Sequence, residues 1–216
     1  MASNAEIAVI GGAAGGGKSY TLLMDPLRYL FDVPGFHGVL FRRTFPEIAL
    51  PGGLWDTSVE LYKPLGAIPK PGDYKWLFPY DNTISMHHLQ HDATKYNWQG
   101  SQVTYFGWDE LSHFPESVFS YVTFSRARSA CDVHSYTRGS CNPDPGWLKT
   151  FLAPWVDRTF PDRAASGEIR FFVRHEGKIR WVDRHHPDAK SLTFVKASVY
   201  DNPIMLAMRE LPVRLA

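Results

Sequence analysis

Short apolar runs, closed off by glycine, proline or charged residues, set the rhythm of this chain. Ile7-Ala8-Val9-Ile10 is an apolar run ending at Gly11-Gly12, which predicts a buried strand. After a glycine-rich stretch, Thr21 to Phe31 repeats its apolar side chains at helical spacing, with Pro26 placed to kink or interrupt the helix. Gly38–Phe41 predicts a second strand. The Pro/Gly-rich stretch from Pro46 to Gly72 reads as a loop around one helix at about Leu54–Tyr62. Short strands are expected at Trp76–Phe78 and Thr83–Leu89. The apolar, aromatic run Val103–Trp108 predicts a buried strand ending at Asp109-Glu110.

Pro115 stands where the first residue of a helix would, ahead of Glu116 to Val122. His134–Thr137 is expected as a strand, followed by the turn-rich Gly139-Ser140-Cys141-Asn142-Pro143. Ile169–Arg174 and Lys178–Val182 flank His175-Glu176-Gly177 as a hairpin. A strand at Thr193–Ala197 precedes Tyr200-Asp201-Asn202-Pro203 and a short helix. Strands alternating with helices predict an α/β domain around a mostly parallel sheet.

Composition narrows the class. The 216 residues suit one domain, and 44% hydrophobic with 14% aromatic content suits a globular one. No run of about 18 apolar residues is present, so no membrane-spanning helix is expected, and the N-terminus lacks the pattern of a signal peptide. Two cysteines without a Cys-x-x-Cys pattern give no disulfide framework. The net charge of +1 hides an asymmetry: residues 1–119 carry 8 basic and 12 acidic side chains, residues 120–216 carry 15 and 10. A basic second half can face a polyanion, or simply face water.

The glycine-rich stretch carries the first chemistry. Gly12-Ala13-Ala14-Gly15-Gly16-Gly17-Lys18-Ser19 satisfies G-x-x-x-x-G-K-[ST] between a strand and a helix. Glycines let backbone N–H groups wrap a phosphate, and the following helix start adds partial positive charge. Lys18 is expected to reach the β- and γ-phosphates of ATP, and the Ser19 hydroxyl to join a Mg²⁺ shell. Tyr20, next in line, is counted with the nucleotide-binding residues. Asp109-Glu110, 91 residues beyond Lys18, ends the core strand with two carboxylates. Asp109 suits the metal and Glu110 suits activation of water. The pair predicts hydrolysis. The spacing also leaves room for an additional strand between the phosphate-loop strand and the acid strand.

Phe41-Arg42-Arg43-Thr44, Trp98-Gln99-Gly100, Trp108-Asp109-Glu110-Leu111, Ser125-Arg126-Ala127-Arg128, Gly139-Ser140-Cys141-Asn142-Pro143 and Tyr200-Asp201-Asn202-Pro203 follow one another in that order. The sequence resembles the ATPase domain of large terminase subunits, the DNA-packaging motors of tailed bacteriophages and prophages. The resemblance covers nearly the whole chain. It implies a P-loop NTPase of the additional-strand, catalytic-glutamate type over residues 1–216. About 1–155 would be the nucleotide-binding core, and about 156–216 a hairpin or lid and C-terminal segment. It implies ATP hydrolysis in a homo-oligomeric ring; with a net charge of +1 and no obvious self-associating helix, the isolated chain is expected to be a monomer or weakly associating, so the ring would form only on assembly. That ring would move double-stranded DNA into a procapsid, with the portal protein and a small terminase subunit as partners, in the host bacterial cytoplasm. The nuclease domain usual in this family is expected to be absent. By the resemblance Asn142 matches the coupling element that senses the γ-phosphate, although an Asn before Pro143 also suits a turn.

Four arginines compete to neutralise charge in the transition state: Arg42, Arg43, Arg126 and Arg128. Arg42 and Arg43 are favoured, because a strand end in such a sheet points into the ligand crevice; Arg126 and Arg128 are the candidates for action on a neighbouring subunit. His87, His88, His91 and Asp92 do not make a convincing zinc site, since neighbouring strand residues point to opposite faces. Phe171, Phe172 and Trp181 of the hairpin are expected in the core or in a lid, with Arg170, Arg174, Arg180 and Arg184 alongside. Two other readings remain: a helicase- or recombinase-like DNA-dependent ATPase, and a nucleotide-binding structural module that hydrolyses poorly.

Overall fold

The computed structural model describes residues 3–12, 17–125, 128–142 and 146–198. Ten strands form one sheet, and the side chains of its parallel strands alternate between two faces. The strands are β1 (Ile7–Gly12), β2 (His37–Arg42), β3 (Ile68–Lys70), β4 (Lys75–Leu77), β5 (Thr83–His88), β6 (Tyr105–Trp108), β7 (Tyr136–Cys141), β8 (Ile169–His175), β9 (Lys178–Val182) and β10 (Lys190–Ala197). Their order is β3-β4-β5-β2-β6-β7-β1-β10-β8-β9. From β5 to β10 every neighbour is parallel, and an antiparallel pair closes each edge.

Two cores sit on the two faces. Ile7, Val9, Phe41, Phe106, Trp108, Leu192 and Phe194 pack with α5 (Glu116–Ser125), α6 (Trp147–Phe151) and α7 (Ala153–Val156). Leu40, Ile84, Tyr105 and Tyr136 face the other way, onto α1 (Lys18–Met24), α2 (Leu27–Leu30), α3 (Pro46–Ala49) and α4 (Leu54–Tyr62). Alternate residues of one strand thus serve opposite cores, as the period of two requires. The result is a helix–sheet–helix sandwich with its parallel strands buried on both faces.

Several expected elements recur with shifted ends. The kink falls between α1 and α2, at Asp25-Pro26. The hairpin turn forms at Glu176 (φ 50) and Gly177 (φ 76), two left-handed residues that join β8 tightly to β9. The hairpin lies in the sheet rather than over it, because β8 pairs with β10; Phe172 is buried in the core and Trp181 packs against it. The stretch after Pro46 holds α3 and β3 in addition to the expected α4.

The largest correction concerns β7. It runs over Tyr136–Cys141, not His134–Thr137, so Gly139-Ser140-Cys141 is strand and not turn. The additional strand between β1 and β6 is present, but β7 supplies it after the acid pair in sequence, not from the stretch before it. Ala13, Ala14, Gly15, Gly16, Arg126 and the Tyr200-Asp201-Asn202-Pro203 element lie outside the described residues.

Candidate active site

The C-terminal ends of β1, β7, β6 and β2 lie side by side, where ligands bind in open parallel sheets. β1 ends at Gly12 (φ 153), where a Cβ would overlap the Ala197 carbonyl. Only glycine fits. Gly17 is left-handed (φ 71, ψ 19) and leads directly into α1. Lys18 and Ser19 open that helix.

Asp109 follows β6 on the α1 face and is 1% exposed. Its carboxylate accepts from the Ser19 hydroxyl at 3.0 and 3.1 Å and from the Ser140 hydroxyl at 2.5 Å. It also pairs with Arg42 at 2.6 Å. A buried carboxylate with this many donors is fixed in its orientation. Glu110 is different. Its backbone is left-handed (φ 58, ψ 57), a conformation costing a non-glycine residue about 1–2 kcal/mol. The Ser140 hydroxyl holds it there by accepting from the Glu110 N–H at 2.9 Å. The Glu110 side chain reaches out of the core, with Arg42 at 3.7 Å and His113 at 3.3 Å. One acid is locked and the next is presented.

Lys18 Nζ donates to the Gly12 carbonyl at 2.7 Å and to Asn142 Oδ1 at 3.1 Å. Asn142 thus lies beside the phosphate-loop lysine, at the end of the strand that separates β1 from β6. Arg42 reaches both acids from the end of β2. Arg43 does not: its guanidinium donates to the Leu89 carbonyl at 2.6 Å and fastens the end of β2 to the chain leaving β5. Arg43 lies just past the end of β2, and that hydrogen bond takes its guanidinium away from the acids.

Tyr20 is turned the other way. Its hydroxyl donates to Glu60 of α4 at 2.6 Å, and that hydrogen bond to a carboxylate raises the phenol pKa. Arg128 pairs through its backbone with Val103, at the far end of the acid strand. Six residues of chain separate Val103 from Asp109, about 20 Å if extended, so Arg128 lies well away from the acids. His87 is packed edge-on against Trp98 and its pKa is lowered, chiefly by burial. Among the described residues no cluster of three metal-ligating side chains is found.

A family model described as the terminase large subunit, T4likevirus-type, N-terminal, matches residues 9–203. The chain belongs to this terminase family. Among solved structures it is similar to the large terminase ATPase domain of Thermus phage P74-26, at 14% identity and a TM-score of 0.58, covering 98% of this chain and 85% of that one. It is also similar to the large terminase of the thermophilic bacteriophage D6E solved with ADP, at 14% identity and a TM-score of 0.59, covering 92% of this chain and 42% of that one. The phi-28 gp11 DNA packaging motor matches at 15% identity and a TM-score of 0.51, covering 89% of this chain and 57% of that one. No curated protein sequence matches at a significant level. These likenesses place the terminase fold on the chain.

Ser140 is the site residue that sequence reasoning missed. It bridges the two acids, yet it falls in a Gly-Ser-Cys-Asn-Pro stretch that reads as turn. The signal was present in the spacing. On a strand, Ser140 and Asn142 share a face, so extending the strand to Cys141 would have put both beside Lys18 and Asp109.

Proposed function

We propose that this domain binds ATP in the phosphate loop and hydrolyses it to drive packaging of double-stranded viral DNA into a procapsid. The observation that carries the reading is the junction of Lys18, Ser19, Asp109, Glu110, Arg42 and Asn142 at neighbouring strand ends. Lys18 has the length and charge to hold the β- and γ-phosphates, and Asn142 beside it can report whether the γ-phosphate is attached. Ser19 and Asp109 are hard oxygen donors 3.0 Å apart and suit Mg²⁺, which would supply neutralisation of phosphate charge.

Glu110, presented beyond the buried pair, is placed to take a proton from the attacking water. The water oxygen bonds to the γ-phosphorus, the bond to the β-phosphate oxygen breaks, and ADP leaves with that electron pair. Arg42, already against both carboxylates, is the arginine that can act within the subunit. An arginine supplied by a neighbour in an assembled homo-oligomeric ring would come from elsewhere, and Arg126 and Arg128 are the candidates. A portal protein and a small terminase subunit are the expected partners in that assembly. No helix of the described residues is long and apolar enough to cross a membrane.

Lys18→Ala tests the reading. Steady-state ATPase, with DNA and procapsid added, is expected to fall to background in a variant that remains folded by circular dichroism. Turnover at the wild-type rate would refute the phosphate loop as the active site.

A further inference from the structure

The acids fix which way a bound nucleotide must lie. Asp109 and Glu110 follow β6, and Asn142 follows β7, so the reacting end of the ligand sits on the β6–β7 side of Gly12. A nucleoside triphosphate is elongated, with its base at the end opposite the γ-phosphate. The rest of it must therefore run past Gly12 toward the other neighbour of β1, which is β10. A cleft of about 400 Å³ opens there, a size typical of small-molecule sites. Gly12, Lys149, Trp155, Arg158, Arg163 and Lys196 line it.

Its chemistry is one-sided. Trp155 and Phe194 give it an apolar floor, both nearly fully buried. Lys149, Arg158, Arg163 and Lys196 are exposed around the rim. Of the carboxylates nearest in sequence, Asp162 and Glu168 both hold Arg170. Asp157 accepts from the Thr159 N–H and hydroxyl at 2.8 Å and also feels the charges of Lys149 and Arg163, without a close ion pair to either. Among the described residues no ion pair is formed by any of the four rim cations.

We propose that this cleft receives the base and sugar of the nucleotide, with the guanidinium groups of Arg158 and Arg163 stacking on the base. Lys149 and Lys196 then face the ribose hydroxyls and the α-phosphate. A planar guanidinium over a π-face and an apolar floor suit a purine, and a rim of four cations suits the phosphate that joins it to the loop. None of these residues belongs to the phosphate-loop or acid motifs. The proposal rests on the phosphate-loop reading above.

Calorimetry with two probes, ATP and inorganic tripolyphosphate, each with Mg²⁺ at about 0.15 M salt, separates the two readings. The double variant Arg158→Gln/Arg163→Gln is expected to lose about tenfold in ATP affinity while tripolyphosphate binding stays within twofold. Lys18→Ala is expected to weaken both probes. Unchanged ATP affinity in the double variant overturns the cleft and leaves the phosphate loop standing. Equal loss for both probes also overturns it, by showing that the arginines act only as a field on phosphate. Loss of double-stranded DNA binding with ATP affinity intact would assign the cleft to DNA and not to the base. Failure of the wild type to bind either probe refutes the phosphate loop and the cleft together.

Discussion

The two ends of β7 hold the two ends of α1 by opposite means. At the lower end Arg138 is 2% exposed and its guanidinium pairs with Asp25 at the foot of α1. It also donates to the carbonyls of Ser3, Ala5 and Thr137. Nearly every donor of that guanidinium is used, and Arg28 covers the other side of Asp25. At the upper end Ser140 and Asn142 reach the acids and Lys18, in a site that opens to solvent. The lower tie is buried, saturated and mechanical. The upper one includes the hydrogen bond from Lys18 to Asn142 Oδ1, an acceptor whose place on the lysine a phosphate oxygen can take. Arg138, Ser140 and Asn142 alternate along one strand face, so the anchored foot and the reactive head of α1 are held by one rigid element.

If that contrast is right, changes at the upper end should cost chemistry and changes at the lower end should cost stability. The largest effect is expected from Glu110→Gln. The amide keeps the shape but cannot take a proton, so ATP should bind and persist while hydrolysis falls about 10²–10⁴-fold; single-turnover kinetics alongside binding will separate the two. Normal turnover in Glu110→Gln would move the base to another acid.

Arg138→Ala should leave the site residues in place but strip Asp25 of its buried partner and remove the donor that three carbonyls share. Breaking such a pair costs about 3–5 kcal/mol, read as a lower denaturant midpoint with unchanged slope. A stability close to wild type would mean that Arg28 alone satisfies Asp25.

Ser140→Ala is predicted to act on both quantities, because Ser140 is fully buried yet touches both acids. Leaving the Glu110 N–H and the Asp109 carboxylate without this hydroxyl should cost roughly 1–3 kcal/mol of stability. It should also lower kcat more than it changes ATP affinity, since the left-handed turn at Glu110 loses its restraint. An affinity loss without a kcat loss would make Ser140 merely structural.

The smallest effect concerns pH. Burial lowers the pKa of His37 and of His87, both on strands distant from the ties of β7. Each titrates near 6.5 in the unfolded chain, so as pH falls through 6.5 the unfolded state takes up protons that the folded state refuses. Stability should therefore decline from pH 7.5 toward acid and level off below the folded values. Urea midpoints that stay flat down to pH 5.5 would remove both histidines from that account.

Much of the site was legible because its chemistry is local. The glycines, Lys18 and Ser19 sit within eight residues and are framed by a strand and a helix whose periodicities are plain. The acids follow directly on an unbroken apolar run, and Glu176-Gly177 announces a tight hairpin. What failed to read was the strand that carries glycine and serine. β7 is buried on both sides by neighbouring strands, which supply its hydrogen bonds whatever its side chains prefer, so tertiary pairing overrides the turn propensity of Gly139 and Ser140.

The sequence by itself therefore determined the fold class, and it offered the proposed phosphate loop and acid pair, because each rests on residues that are neighbours along the chain. The tertiary structure alone decided that Arg42 and not Arg43 meets the acids, that Ser140 bridges them, and that Arg138 grips Asp25 across 113 positions. Those partners are selected by strand order and register, and a slip of one residue would send every one of these side chains to the opposite face.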